Sequence, residues 1–155
     1  MFEVLRKSGG INAMARQGSV DVRTAAEAAR TLLPQLLDAL RHVAASPDRL
    51  MEMLKRHGDG DLASAVMGAE QVNPAPGGAL LVDLYGDKDA TARMLARARP
   101  GSGIAESDMA RLAPLLTMLV GGYVAAHGAN GQLSREELDE MLTYREAKPP
   151  REEQI

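Results

Sequence analysis

The stretch LAPLLTMLVGGYVAA at residues 112–126 decides the fold of this 155-residue chain. It contains no charged residue, yet it is shorter than the roughly 20 apolar residues that a membrane-spanning helix needs. Pro114 and the pair Gly121-Gly122 interrupt it further. We therefore predict a helix buried inside the protein and no membrane span.

The composition extends the helical prediction to the whole chain. Alanine, leucine and nine methionines dominate the apolar residues, whereas there are one phenylalanine and three tyrosines. Straight-chain residues favour helices, while sheets are filled by β-branched and aromatic residues. We expect an all-α fold, a compact multihelical domain of about seven or eight helices.

Two proline-containing helices suggest a weak internal repeat. Leucines at helical spacing run from Asp21 to about Ala45, with Pro34 inside, where a proline should kink or split the helix. Pro34 and Pro114 lie 80 residues apart, and each has a leucine two positions before it and two after. We predict two weak structural repeats, with coincidence in an alanine- and leucine-rich chain as the alternative.

The strongest breaker is the sequence Asn-Pro-Ala-Pro-Gly-Gly at 73–78. We predict a single helical domain over residues 1–147, with halves at 1–72 and 77–147. The charged, proline-containing residues 148–155 are predicted to be a disordered tail.

Several segments resemble a bacterial family. They are LLVDLYG at 80–86, Met94-Leu95-Ala96, Gly103-Ile104, LAPLL at 112–116 with Gly121-Gly122, and, near the N-terminus, MARQG at 14–18 and LLPQLL at 32–37. Together they resemble the YidB-like family, catalogued as domain of unknown function 937. The resemblance implies an all-helical, cytoplasmic bacterial protein, and it brings no catalytic residue to carry over.

The segment from Ile11 to Ala28 is similar to a helix-turn-helix. A DNA-reading helix presents basic and amide groups, but this one offers Arg23 and Arg30 among alanines, opposed by Asp21 and Glu27. The net charge of -3 also disfavours a nucleic-acid partner. Nucleic-acid binding through this segment is kept as an alternative function.

No motif predicts a metal, a cofactor or a catalytic site. The chain has no cysteine, and its three histidines have no metal-ligand spacing. Residues 130–138 imitate the second half of a calcium loop, but loop positions one and three would be Ala126 and Gly128, which lack side-chain oxygens. An enzyme with a pocket formed by distant residues is the second alternative.

One feature favours an interaction function. Small residues four apart on a helix let another backbone approach closely, and methionine adapts to irregular contacts. The candidate helix-contact surface, called the small-residue stripe below, consists of Met118, Gly121, Gly122, Ala125 and Ala126. We predict a non-enzymatic helical interaction module that binds a protein partner or self-associates, with packing inside the monomer as the alternative role of the stripe.

Overall fold

A computed structural model describes residues 1–128 and 135–143. These residues form nine helices and no strand, so the all-α prediction is confirmed, with slightly more helices than predicted. The bounds are α1 Phe2–Ser8, α2 Gly10–Gly18, α3 Val22–Val43, α4 Pro47–His57, α5 Asp61–Met67, α6 Ala75–Tyr85, α7 Lys88–Ala98, α8 Glu106–His127 and α9 Arg135–Leu142. The predicted tail 148–155 and most of the calcium-loop imitation lie outside the described residues.

Two 22-residue helices, α3 and α8, form the centre of the fold. Asp21 starts α3 as predicted, since its Oδ1 accepts a hydrogen bond from the Thr24 N–H at 2.7 Å. Each helix continues through its proline, Pro34 or Pro114, so α3 is not split. Each proline removes one helical N–H donor, which these long, well-packed helices tolerate.

The predicted buried helix is α8. Most of it is covered by α5 and α6, and it also contacts α2, α3 and α4. Its length and composition alone would let it cross a membrane, but most of its apolar stretch is buried against the other helices. Since α8 packs on helices from both predicted halves, the division of the domain at 73–78 and the internal repeat stay predictions.

Glycine decides how closely two neighbouring helices approach α8. A Cβ added at Gly122 would overlap the backbone of Ala63 in α5, and one at Gly77 in α6 would overlap the carbonyl oxygen of Pro114. At Gly121 the added atom would lie 3.1 to 3.4 Å from leucine side chains. This contact is tight, but side chains can move more easily than the backbone atoms next to Gly122 and Gly77. These contacts require glycine because a larger side chain has no space.

A buried glutamine anchors the segment after α5. Gln17 in α2 is 7% exposed, and its amide Nε2 donates to three backbone carbonyls between residues 66 and 70 at 2.9 to 3.3 Å. Its Oε1 accepts from the Val72 N–H at 3.1 Å, and the neighbouring Arg16 donates to the Gly68 carbonyl at 2.6 Å. These bonds satisfy the carbonyl end of α5 and hold it against α2.

Candidate functional site

The small-residue stripe lies at a contact within the chain. Met118 is 1% exposed, and Gly121, Gly122 and Ala125 are also buried, so only Ala126 is exposed. Helix α5 covers the two glycines together with leucines from α4 and α6. A second chain would reach them only after α5 had moved away. Self-association through the stripe therefore stays a prediction, and in this structure the stripe serves the packing of the monomer.

A polar cleft of about 710 Å³ lies between α3, α4, α6 and α7. Its lining includes three carboxylates and four basic side chains, namely Asp38, Glu52, Asp83, His42, Arg49, Arg56 and Arg97. Sequence analysis did not predict that these distant residues meet, because they come from separate helices. An enzyme reaction would need polar groups of this kind, so the residues of this cleft test the enzyme alternative.

Two groups in the polar cleft have shifted pKa values. Hydrogen bonds from His57 and Arg56 lower the pKa of Asp83, whose Oδ2 lies 2.9 Å from His57 Nε2 and 2.8 Å from Arg56 Nη2. Burial raises the pKa of Tyr85 to about 12, and the hydroxyl of Tyr85 donates to the carbonyl oxygen of Gln35 at 3.0 Å. Both shifts move the pKa of the group further from neutral pH, whereas an acid–base catalyst needs a pKa close to neutral pH. These groups tie α6 to α4 and α3.

The remaining chemistry of the polar cleft is that of exposed side chains. Asp38 and His42 lie one helical turn apart on α3, but no hydrogen bond or ion pair joins them. Within residues 1–128 and 135–143, no three histidine, aspartate or glutamate side chains are arranged to hold a metal ion. The cleft thus offers mixed charge without an activated nucleophile or a metal centre among the described residues.

An apolar groove of about 700 Å³ lies between α6, α7 and α8. Its lining residues are Gly78, Ala79, Leu81, Val82, Lys88, Thr91, Leu95, Ala110, Ala113 and Pro114. Among these described residues, Lys88 is the one with a charge. The volume falls in the range of binding sites, which are mostly apolar with a few polar groups.

The groove exists because α6 separates its neighbours. Gly77 brings α6 directly onto α8, while α7 packs chiefly on α6 and α3. Four of the ten residues that line the space between α7 and α8 are glycine or alanine, whose side chains are too short to fill it. Leu95 is half-buried, and it packs against the core as well as lining this wall.

The groove was not predicted from the sequence, although α7 carries a pattern that indicates it. Lys88, Thr91 and Leu95 recur at helical spacing and form one face, whereas Met94 faces the core. That face has one charge, one hydroxyl and one leucine, so it fits neither a core stripe nor a solvated surface. Only the positions of α6 and α8 show that it borders an open space.

The helix-turn-helix segment corresponds to α2 and the first part of α3. Arg30 lies over the ring of Phe2 at 4.7 Å and 3.7 Å from the carboxylate of Glu27. Arg16 is engaged with backbone carbonyls near the end of α5. Two of the arginines near the turn, Arg16 and Arg30, therefore already contact other groups of the chain.

The described residues thus define an all-α protein built around a buried central helix, with one polar cleft and one apolar groove beside α6. The family model described as "Bacterial protein of unknown function (DUF937)" matches residues 5–127. Because this range covers most of the chain, the chain belongs to that bacterial family, and the predicted resemblance is confirmed. The match includes the cleft and the groove and ends at His127, before α9. Searches of curated proteins and of solved structures found no match.

Proposed function

We propose that this chain is a non-enzymatic helical interaction module of the bacterial cytoplasm, and that the apolar groove between α6, α7 and α8 is its docking surface. The observation that carries the proposal is the groove itself, an open space of about 700 Å³ with almost entirely apolar walls. Grooves of this kind on a water-exposed surface mark binding sites, because water contact with apolar walls is unfavourable.

The rest of the described surface supports the groove as the docking surface. Large apolar side chains are exposed only at Val22 (49%) and Met67 (40%) among residues 1–128 and 135–143. These two residues lie on different helices and line no part of the groove. The groove is therefore an apolar surface that a partner could reach without unfolding part of the chain.

The burial of α8 supports a protein that works without spanning a membrane. A span would place its apolar stretch against lipid, and the five helices around it would have to leave. Their buried apolar surface would then be exposed, which is costly at about 25 cal/mol per Å².

The alternatives have weaker support. An enzyme would use the polar cleft, but the pKa values of Asp83 and Tyr85 are both shifted away from neutrality. Duplex binding would use α2 and α3, where Arg16 and Arg30 are engaged within the chain. A gel shift at two salt concentrations tests the second alternative, since phosphate contacts make binding steeply dependent on salt.

Site-specific photo-cross-linking in bacterial cells tests the proposal. A benzophenone amino acid is placed at Ala79, an exposed residue that lines the groove, or at Ala96, an exposed residue of α7 outside it. We expect an adduct from Ala79 and none from Ala96. An adduct of twice the mass of the chain would indicate self-association, and another mass would indicate a different protein. Absence of any adduct from Ala79 would contradict the proposal.

A further inference from the structure

We infer that the apolar groove binds one amphipathic helix of another protein, which inserts apolar side chains along the groove and pairs an acidic side chain with Lys88. This inference rests on the proposed function and specifies its partner. It follows from the length of the groove, from the size of the residues that line it, and from its single charge.

The length of the groove matches two helical turns. The lining residues of α7 extend from Lys88 to Leu95, a separation of seven positions, or about 10 Å at 1.5 Å per residue. A helix that docks in a groove uses side chains at positions i, i+3 or i+4, and i+7, which span the same distance. Lys88 lies at one end of this span and Leu95 at the other.

The lining lets a helix backbone approach closely. Gly78 and Ala79 line the α6 side, and Ala110 and Ala113 line the α8 side. Short side chains facing a helix allow a small separation between the helix axes, which is how α5 and α6 already pack on α8. A helix in the groove would fill the space left between α7 and α8.

The charge of the partner follows from Lys88. This lysine is exposed, and no ion pair joins it to any residue in the described parts of the chain. The neighbouring Asp87 is used as the N-cap of α7, since its Oδ1 accepts from the Ala90 N–H at 2.7 Å. An acidic residue at that end of the partner would meet an ammonium group that forms no ion pair within the described residues.

A second copy of the chain does not supply such a helix from its described residues. Val22 starts α3 and Met67 ends α5, so these two exposed apolar residues do not form a stripe along one helix. The apolar faces of the longer helices are already buried in the core. Since no helix among the described residues offers such a face, we assign the groove to a different protein.

Selection from a displayed library of helical peptides tests the inference. The full chain is the bait, and selected peptides are then measured against three variants. Ala79→Phe fills the groove, Ala96→Phe adds the same side chain to the exposed face of α7, and Lys88→Glu reverses the charge. Circular dichroism and urea unfolding establish that each variant is folded before its affinity is compared.

We expect the selected peptides to carry apolar residues one turn apart and an acidic residue about one turn further on. Ala79→Phe should weaken binding at least tenfold, and Ala96→Phe should leave it unchanged. Lys88→Glu should weaken binding about two- to tenfold, in line with an exposed ion pair and its reversal. Replacing the acidic residue of the peptide by lysine should restore affinity for Lys88→Glu.

Several results would overturn the inference. They are an absence of binders, binders that are insensitive to Ala79→Phe, and binders with no preference for an acidic residue. Binding of decanoate in the groove without selection of any peptide would point to an acyl chain instead. A dimer in light scattering that Ala79→Phe abolishes would make a second copy the occupant. If Ala79 cross-links to another protein in cells while the library fails, the inference falls and the proposed function stands.

Discussion

The two halves of α8 have similar small residues and different environments. In the C-terminal half, Gly122 and Gly121 meet α5 and leucines from neighbouring helices, and no space remains. In the N-terminal half, Ala110 and Ala113 border the apolar groove. Small residues allow a close helix contact in both places, but the described residues supply the covering helix in only one of them. The difference shows that small-residue spacing identifies a surface suited to a helix, without identifying the chain that provides that helix.

The closed C-terminal half of α8 gives the largest expected effect on stability. Gly122→Ala should lower the free energy of unfolding by about 2–3 kcal/mol, because its Cβ would overlap the backbone of Ala63, which cannot rotate away. Gly77→Ala should have a similar effect through the Pro114 carbonyl. Urea unfolding measures both.

Gly78→Ala is the matched control for Gly77→Ala, since an added Cβ there has no heavy atom within 4 Å. It should leave stability unchanged or increase it by up to about 1 kcal/mol, because alanine favours a helix over glycine. Equal effects at positions 77 and 78 would mean that α6 does not touch α8 as described.

The hydrogen bonds by which Gln17 anchors α5 give the next largest effect on stability. Gln17→Ala should destabilise the chain by about 1–3 kcal/mol, because it removes the buried amide that donates to carbonyls at the end of α5 and accepts from the Val72 N–H. Arg16 would then be the remaining side-chain donor to the Val66 and Gly68 carbonyls. Asn12→Ala, an exposed change on the same helix α2, is the control and should stay within about 0.5 kcal/mol of the wild type. Thermal and urea unfolding should agree on this ranking.

The link between α4 and α6 gives a smaller, pH-dependent effect. The pKa of Asp83 is lower in the folded state, so its stabilising contribution is present above the unfolded value of about 3.8 and is lost as the pH falls through the folded value. Asp83→Asn should therefore cost less than about 1 kcal/mol near neutral pH, because the pair is partly exposed.

Unfolding of the wild type and Asp83→Asn at about pH 7 and about pH 2 checks this sign. The two proteins should converge in acid. A difference that grows as the pH falls would contradict the lowered pKa of Asp83.

The groove beside the N-terminal half of α8 gives the smallest effect on stability. Ala79→Phe should change the free energy of unfolding by less than about 0.5 kcal/mol, because Ala79 is exposed and the groove has room for the ring. A loss of more than about 1 kcal/mol would mean that the groove is closed in solution. The comparison between the two halves of α8 would then fail.

The sequence predicted those parts of the fold that local periodicity determines. The uncharged stretch from Leu112 to Ala126 predicted a buried helix, and α8 is that helix. The cap at Asp21 predicted the start of α3. These features depend on neighbours within one or two helical turns, which a sequence displays directly.

The candidate site could not be predicted because it depends on the relative positions of α6, α7 and α8. The stripe around Gly121 was a visible pattern, but whether α5 or another chain covers it is a matter of tertiary packing. The groove is a space between helices, and its best sequence signal was the mixed face of Lys88, Thr91 and Leu95. Likewise, His57 in α4 contacts Asp83 in α6, and these two residues are 26 positions apart in the sequence.

The most direct test compares the groove with the stripe inside cells. A benzophenone amino acid at Ala79 reports on the groove, and the same amino acid at Ala126 reports on the exposed end of the small-residue stripe. We predict an adduct with a different protein from Ala79 and none from Ala126. An adduct from Ala126 at twice the mass of the chain, with none from Ala79, would contradict the account.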